Sequence, residues 1–266
     1  MSQDKTTASQ STNRAAPATE PARVRVGCAG WSLPSTERAR FGSADSVLAA
    51  YATRFDAVEV NSSFYRPHRR STWQRWAQSV PAGFRFSAKL PRAITHDSRL
   101  HAVGPLLDDF IDQVEGLGDR LGALLVQLPP SLSFDAAIAA RFFAMLDRRT
   151  SAAVVCEPRH RSWFGESAHD LLRRYGVHRA GVDPAVPLAA AARPSTSGAL
   201  RYWRWHGSPR VYYSAYGEER LAAMVAAVCA EAVTGLETWC IFDNTASGHA
   251  VPNAVRFQEL YAGAAA

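Results

Sequence analysis

The sequence predicts an α/β fold, a TIM-type (β/α)8 barrel with a shortened or irregular sixth unit. Three observations carry this expectation: eight short β-prone runs recur along the chain, helical periodicity fills most intervals between them, and polar residues follow the runs at their carboxyl ends. A length of 266 residues suits one such barrel, for which about 250 is typical. No glycine-rich dinucleotide loop argues for an open doubly wound sheet instead.

The predicted strands run Arg25 to Ala29, Ala57 to Val60, Arg85 to Ala88, Ala123 to Val126, Ala153 to Cys156, Arg179 to Val182, Arg201 to Trp205 and Thr238 to Phe242. Several are almost wholly apolar, as expected of parallel strands buried on both faces. Helices are predicted over Asp45 to Thr53, Thr72 to Ser79, Leu100 to Gly118, Phe134 to Asp147, Glu166 to Tyr175, Leu221 to Ala232 and Asn253 to Tyr261. The clearest is Leu100 to Gly118, where Val103, Leu106, Leu107, Phe110, Ile111, Val114 and Leu117 share one face and Asp108, Asp109, Asp112 and Glu115 the other. Asp45 and Asp135 stand where a carboxylate caps free helix amides. Between Asp183 and Arg201, VPLAAAARPSTSG offers one short helix and a flexible turn, which abbreviates the sixth unit.

Residues 1–23 contain no apolar run and are rich in Ser, Thr, Ala and Pro, so a flexible tail precedes a single domain over 24–266. No stretch approaches the roughly 20 apolar residues of a membrane span, and the tail lacks the apolar segment of a secretory signal. A cytoplasmic protein without a membrane partner is expected. Cys28, Cys156, Cys229 and Cys240 are far apart and read as reduced core thiols, Cys229 on an apolar helix face. The net charge of +6 favours anionic partners, yet Lys5 and Lys89 are the only lysines and the arginines are scattered, so nucleic acid is only weakly supported.

In a parallel barrel all strand carboxyl ends share one rim, so distant residues converge there. VEVNSSFYRPH places Glu59 inside an apolar strand, followed by Asn61 and Tyr65; a carboxylate so buried must be paired or its proton affinity rises. FSAKLPRAITH ends a strand on Lys89, suited to an anionic ligand or to an ion pair with Glu59 or Glu157. CEPRHRSWF supplies Glu157, Arg159 and His160, either as ligand-facing chemistry or as a satisfied loop network covered by Trp163. YWRWHG and IFDNT add Arg204, His206, Asp243 and Asn244, with His206 and Asp243 able to form an orienting pair. Gln127 ends the fourth strand, and Asp183 the sixth. The alternating Trp203 and Trp205 read as packing residues, and Phe64 and Tyr65 as packing or stacking rings.

Glu157, His160 and Lys89 are therefore the catalytic candidates. Glu59, Asn61, Tyr65, Gln127, Arg159, Arg204, His206, Asp243 and Asn244 are the ligand-binding ones. No serine nucleophile motif, HExxH or CxxC is present. No cofactor or metal site is predicted, and a divalent metal held by acids and histidines from several strands is left open.

VGCAGW, FDAVEVNSSFYRP, WAQSVPAGFRFSAKLPRAITH, LGALLVQLPP, EPRHRSW, YWRWHG and FDNTASGHAVPNA, spread from Val26 to Leu260, resemble the DUF72 or YecE-like family of uncharacterised proteins. The resemblance implies a TIM-type barrel and points to Glu59, Asn61, Tyr65, Lys89, Gln127, Glu157, Arg159, His160, His206 and Asn244 as rim residues. Two positions depart from the family pattern: Pro158 stands where an aromatic residue is expected, and Asp243 where an asparagine is. The resemblance transfers no reaction. The residues themselves suggest a pocket for a small anionic or polyhydroxylated metabolite, with hydrolase, lyase or isomerase chemistry. A nonenzymatic metabolite- or nucleic-acid-binding module is the alternative.

Overall fold

A computed structural model describes residues 23–195, 200–231 and 236–265. The expected tail therefore lies outside the described residues except for Arg23, as do Ala232 and part of the PSTSG turn. The described residues form nine strands, most of them separated by helices: β1 (Arg23–Ala29), β2 (Ala57–Val60), β3 (Arg85–Lys89), β4 (Leu121–Gln127), β5 (Ala153–Glu157), β6 (His178–Arg179), β7 (Gly181–Asp183), β8 (Leu200–Trp205) and β9 (Glu237–Phe242). All pair in parallel, in the order β6-β5-β4-β3-β2-β1-β9-β8-β7. The two ends of that order are consecutive in the chain and separated by Ala180 alone. They are the halves of the sixth barrel strand, and the sheet is a nearly closed barrel.

The sixth unit is abbreviated as expected, and the strand itself is divided. Arg179 exchanges backbone bonds of 2.9 and 3.0 Å with Ser195, an antiparallel bridge that puts the returning chain on the edge of β6. Gly181 then passes so close to this return that a Cβ would lie 2.7 Å from the Pro194 ring, which is why the position needs glycine. Only past that point does β7 pair with β8. A short 3-10 turn, Ala189–Ala192, stands in for the sixth helix.

The covering helices are α1 (Val47–Tyr51), α2 (Ser62–Tyr65), α3 (Arg70–Gln78), α4 (Gly104–Val114), α5 (Ala136–Asp147), α6 (Glu166–Arg174), α7 (Glu218–Glu231) and α8 (Ala250–Ala265). Asp135 caps α5 as predicted, its Oδ1 accepting from Ile138 N at 2.9 Å. Asp45 does not cap α1; the next residue does, with Ser46 Oγ accepting from Ala49 N at 3.1 Å. The helix expected from Leu100 begins only at Gly104, because Arg99, Leu100 and Ala102 take positive φ of 49°, 70° and 51°. Its apolar face is otherwise as read, with Leu107, Phe110, Ile111 and Val114 buried, but Leu106 is exposed. Cys28, Cys156 and Cys240 are buried free thiols, whereas Cys229 is exposed rather than on the packed face of α7. No helix among the described residues is long and apolar enough to cross a membrane.

Two apolar layers result. One packs the outside of the sheet against the helices, with Val58, Phe86, Leu124, Trp205 and Phe242 among its members. The other fills the barrel interior, with Ala57, Leu125, Val155, Tyr202, Trp239 and Ile241. Strand side chains alternate between these layers.

Candidate functional site

That alternation decides which side chains reach the mouth. Two residues beyond the last interior apolar residue of five strands comes a polar one on the same side: Glu59 after Ala57, Gln127 after Leu125, Glu157 after Val155, Arg204 after Tyr202 and Asp243 after Ile241. Lys89 follows the buried Ser87 in the same way. Six strand ends thus deliver charge or an amide into one space above the interior core.

Arg204 is the hub. It is wholly buried, as is Glu59. Its Nε donates to Glu59 Oε2 at 2.9 Å, its Nη2 to Glu59 Oε1 at 2.6 Å and Asp243 Oδ2 at 2.9 Å, and its Nη1 to Glu157 Oε2. Tyr202 OH adds a 3.0 Å bond to Glu59 Oε2. Burying a guanidinium is costly unless its fork is filled, and here every nitrogen meets a carboxylate. The expectation that Arg204 neutralises a ligand is corrected: it faces protein acids and has no surface left.

Glu157 and Asp243 are held ionised by this arrangement. Burial pushes the Glu157 carboxyl up, but Arg204, Arg159 and His206 hold it well below its usual range. Burial opposes the Asp243 charge likewise, and Arg204 and His206 bring its pKa below the ordinary value. Both Glu157 oxygens are thus engaged by arginine, Oε1 by Arg159 and Oε2 by Arg204. His206 joins the two, with Nδ1 2.9 Å from Asp243 Oδ2 and Nε2 in a looser ionic contact of 3.5 Å with Glu157. Burial lowers its pKa, but Glu157 and Asp243 more than offset that and raise it above the usual value. The predicted His206 and Asp243 pair is present, and the aspartate that departs from the family pattern supplies its charge.

Arg159 donates from Nε to Glu157 Oε1 at 2.8 Å and from Nη2 to Tyr212 OH at 2.9 Å. Its Nη1 makes no bond among the described residues and the side chain is a quarter exposed. His160 is committed locally: its Nδ1 lies 2.8 Å from Ser162 Oγ and caps the following 3-10 turn. Trp163 is buried with Nε1 donating to Leu132 O at 2.9 Å, so this loop realises the satisfied-network reading. Asn61 Nδ2 donates to Asp243 Oδ1 at 3.4 Å, while Asn61 Oδ1 is buried without a partner. Gln127 Nε2 donates to Leu128 O at 2.9 Å.

Two predicted ligand residues lie elsewhere. Asn244 has the opposite parity to Asp243, and its Nδ2 is spent on Ser214 O and Asn253 Oδ1. It ties the loop after β9 to α8 rather than orienting a ligand. Tyr65 is 78% exposed and lines a side cavity with Pro91, Leu106 and Phe110, outside the acid cluster. Asp183 is paired with Arg220 at the outer edge.

Lys89 is different from every other charge in the mouth. No carboxylate lies within ion-pair distance of it among the described residues, so neither predicted pairing, with Glu59 or Glu157, forms. Its Nζ sits 4.2 Å over the Phe64 ring. Burial and repulsion by Arg204 bring its pKa down to about 8, against the partial support of the three acids.

Sequence reading missed three participants. His96 packs edge-on against Phe64, ring centres 4.9 Å apart, and Thr95 Oγ1 lies 2.8 Å from its Nδ1. Its place at the end of LPRAITH, on the connection out of Lys89, was the available signal. Tyr212 supports Arg159 and stacks edge-on with His206, but from a loop residue with φ of 70° that no pattern announces. Tyr202 was hidden inside a strand. No three His, Cys, Asp or Glu side chains among the described residues are disposed to hold a metal ion.

The model of the family described as "Protein of unknown function DUF72" matches residues 25–266. The UPF0759 protein YecE of Escherichia coli strain K12 is 27% identical over 164 residues, 61% of this chain and 58% of that protein, and its counterpart in strain O157:H7 matches equally. The chain thus aligns with less than two thirds of these relatives. A crystal structure of a DUF72 family protein from Enterococcus faecalis V583 superposes with a TM-score of 0.74 at 20% identity, covering 90% of this chain and 95% of that one. One from Thermotoga maritima MSB8 gives 0.72 at 24% identity, covering 90% and 98%.

Proposed function

Since the chain belongs to the DUF72 family, whose description assigns no function, we propose from its own geometry that the barrel mouth is an acid–base pocket for a small anionic or polyhydroxylated metabolite. Lys89 is the group that meets the ligand. One observation carries this reading: among the described residues Lys89 is a cation of the mouth with no carboxylate within ion-pair distance. Arg204 reaches Glu59, Glu157 and Asp243, and Arg159 reaches Glu157, whereas the Lys89 ammonium lies over the Phe64 ring instead. Holding a lysine desolvated without a carboxylate costs stability, and such a cost is characteristic of functional groups.

An amine whose pKa is about 8 divides between ammonium and free base near neutral pH. It can hold an anionic oxygen in one form and accept a proton in the other. Arg159 Nη1 and Asn61 Oδ1 offer a further donor and acceptor at the same mouth. The acids are bonded to arginine and serve as a fixed field, which leaves the Lys89 amine as the group suited to exchange a proton and favours proton-transfer chemistry of the isomerase or lyase kind. The nucleic-acid alternative relies on Arg159 and Arg204 for phosphate contacts, and Arg204 has no surface to offer.

Native mass spectrometry of the purified protein and of Lys89→Met tests the proposal. The wild type is expected to carry a small molecule that the variant loses, with both melting cooperatively. Equal retention by the variant, or a soaked ligand seated away from the rim, would overturn it.

A further inference from the structure

The connection from β3 to α4 is the most contorted in the described chain. It leaves Lys89, makes a π-turn over Ala93–Asp97 and passes through left-handed backbone at Arg99, Leu100 and Ala102 before α4 begins. None of these three residues is a glycine, so each carries strain that the rest of the fold must hold in place. What the contortion achieves is the placement of His96. The π-turn sets its ring edge-on against Phe64 at 4.9 Å, and the same Phe64 ring carries Lys89 Nζ at 4.2 Å. One aromatic platform therefore brings an amine and an imidazole together.

The imidazole is also fixed in orientation. Thr95 Oγ1 donates to Pro91 O at 3.4 Å and lies 2.8 Å from His96 Nδ1, a pair that is satisfied in the Nδ1–H tautomer of the ring. This leaves the lone pair on Nε2, which makes no bond among the described residues. The groups facing the ring are Lys89, Arg92, Arg159 and Asp97. Burial, reinforced by the three cations, brings the His96 pKa down to about 4, so the ring stays a neutral acceptor throughout the physiological range.

We propose that His96 is a ligand-binding residue of the mouth, its Nε2 accepting a hydroxyl whose neighbouring carboxylate or carbonyl oxygen is held by Lys89 Nζ, so that the site takes 2-hydroxy acids or 2-hydroxycarbonyl compounds. This rests on the reading of Lys89 as the ligand-facing cation. It narrows that reading from anionic or polyhydroxylated molecules in general to those with a hydroxyl beside the charged or carbonyl oxygen. A cation alone binds acids with or without the hydroxyl; an oriented acceptor next to it distinguishes them.

The probes are glycolate against acetate and lactate against propionate, titrated at pH 7.5 into protein labelled at lysine Cε and histidine Cε1 and followed by NMR. The wild type is expected to bind the hydroxy acids at least tenfold more tightly than their deoxy partners, with both the Lys89 and His96 resonances moving. His96→Phe keeps the platform contact and is expected to bind all four acids alike. His96→Gln, which retains an acceptor near the Nε2 position, is expected to recover part of the preference, an outcome a merely structural role would not give. If His96→Phe still prefers the hydroxy acids, the inference is overturned while the Lys89 reading stands. If no acid moves the Lys89 resonance in the wild type, both fall.

Discussion

At the scale of single residues, Lys89 makes a claim about stability opposite in sign to most active-site arguments. Its pKa falls from the ordinary lysine value to about 8 on folding, so between pH 8 and 10.5 the unfolded chain binds more protons than the folded one. Stability attributable to this residue therefore rises with pH through that interval, and below pH 8 the cost of the desolvated ammonium is fully present. Lys89→Met, which fills the space over Phe64 without charge, is expected to stabilise the protein at pH 7 by on the order of 1 kcal/mol, after allowing for the screening of a half-buried group. The gain should shrink as pH approaches 10.5. Denaturant unfolding of both proteins at pH 7 and pH 10 measures it, and a variant less stable than wild type at pH 7 would show that Lys89 is a structural cation. The same scale shows how far the site was legible. Strand parity was enough to send Glu59, Glu157, Arg204 and Asp243 inward and Asn244 outward, a test that a catalogue of strand-end polar residues does not apply. What parity cannot tell is which cation the acids would choose. Arg204 won because a planar five-donor fork can satisfy three carboxylates at once, leaving Lys89 over the Phe64 ring.

Elements were most legible where a helix boundary is set by one side chain and least where tertiary packing moves it. Asp135 is extended at the start of α5 and accepts from Ile138 N, the bond its sequence position announces. Asp135→Ala is expected to cost about 1 kcal/mol, visible as a lower midpoint at unchanged denaturant slope; no loss would mean that a neighbouring group takes over the free amide. At α1 the same reasoning chose the wrong one of two adjacent cap residues, Asp45 for Ser46, because both side chains accept and only the turn of the preceding chain decides between them. The α4 boundary failed for a deeper reason. Val103 is buried on the face the periodicity assigned it, yet the chain before Gly104 is bent through left-handed backbone that places His96. Hydrophobic spacing records which residues are buried, and it is silent on whether the backbone between them is helical.

For the whole molecule, the weak place is the divided sixth strand, and the charged hub spans it. β5 meets β6 through two register pairs, Val155 with His178 and Cys156 with Arg179, and β7 meets β8 through three. The pairings of β9 with β1 and with β8 each have six. Closure at the seam thus rests on few backbone bonds, so the barrel needs help there. The bond from Arg204 on β8 to Glu157 on β5 supplies it, joining the two strands that flank the seam across the barrel mouth. Glu157 is held ionised by Arg204, Arg159 and His206 against the opposing effect of burial, so this clasp is present at neutral pH and is lost as pH falls through its depressed pKa. Glu157→Gln keeps the shape and removes the charge. If the clasp closes the barrel, amide exchange over 177–183 should quicken by roughly tenfold or more in the variant, as expected when a buried pair worth more than about 1.4 kcal/mol is weakened, while β1 and β9 exchange at the wild-type rate. Deuterium uptake by peptide mass spectrometry resolves these segments. Uniform quickening over all strands would make Glu157 a contributor to global stability only, and unchanged uptake at the seam would mean that Ser195 and Pro194 close the barrel without it.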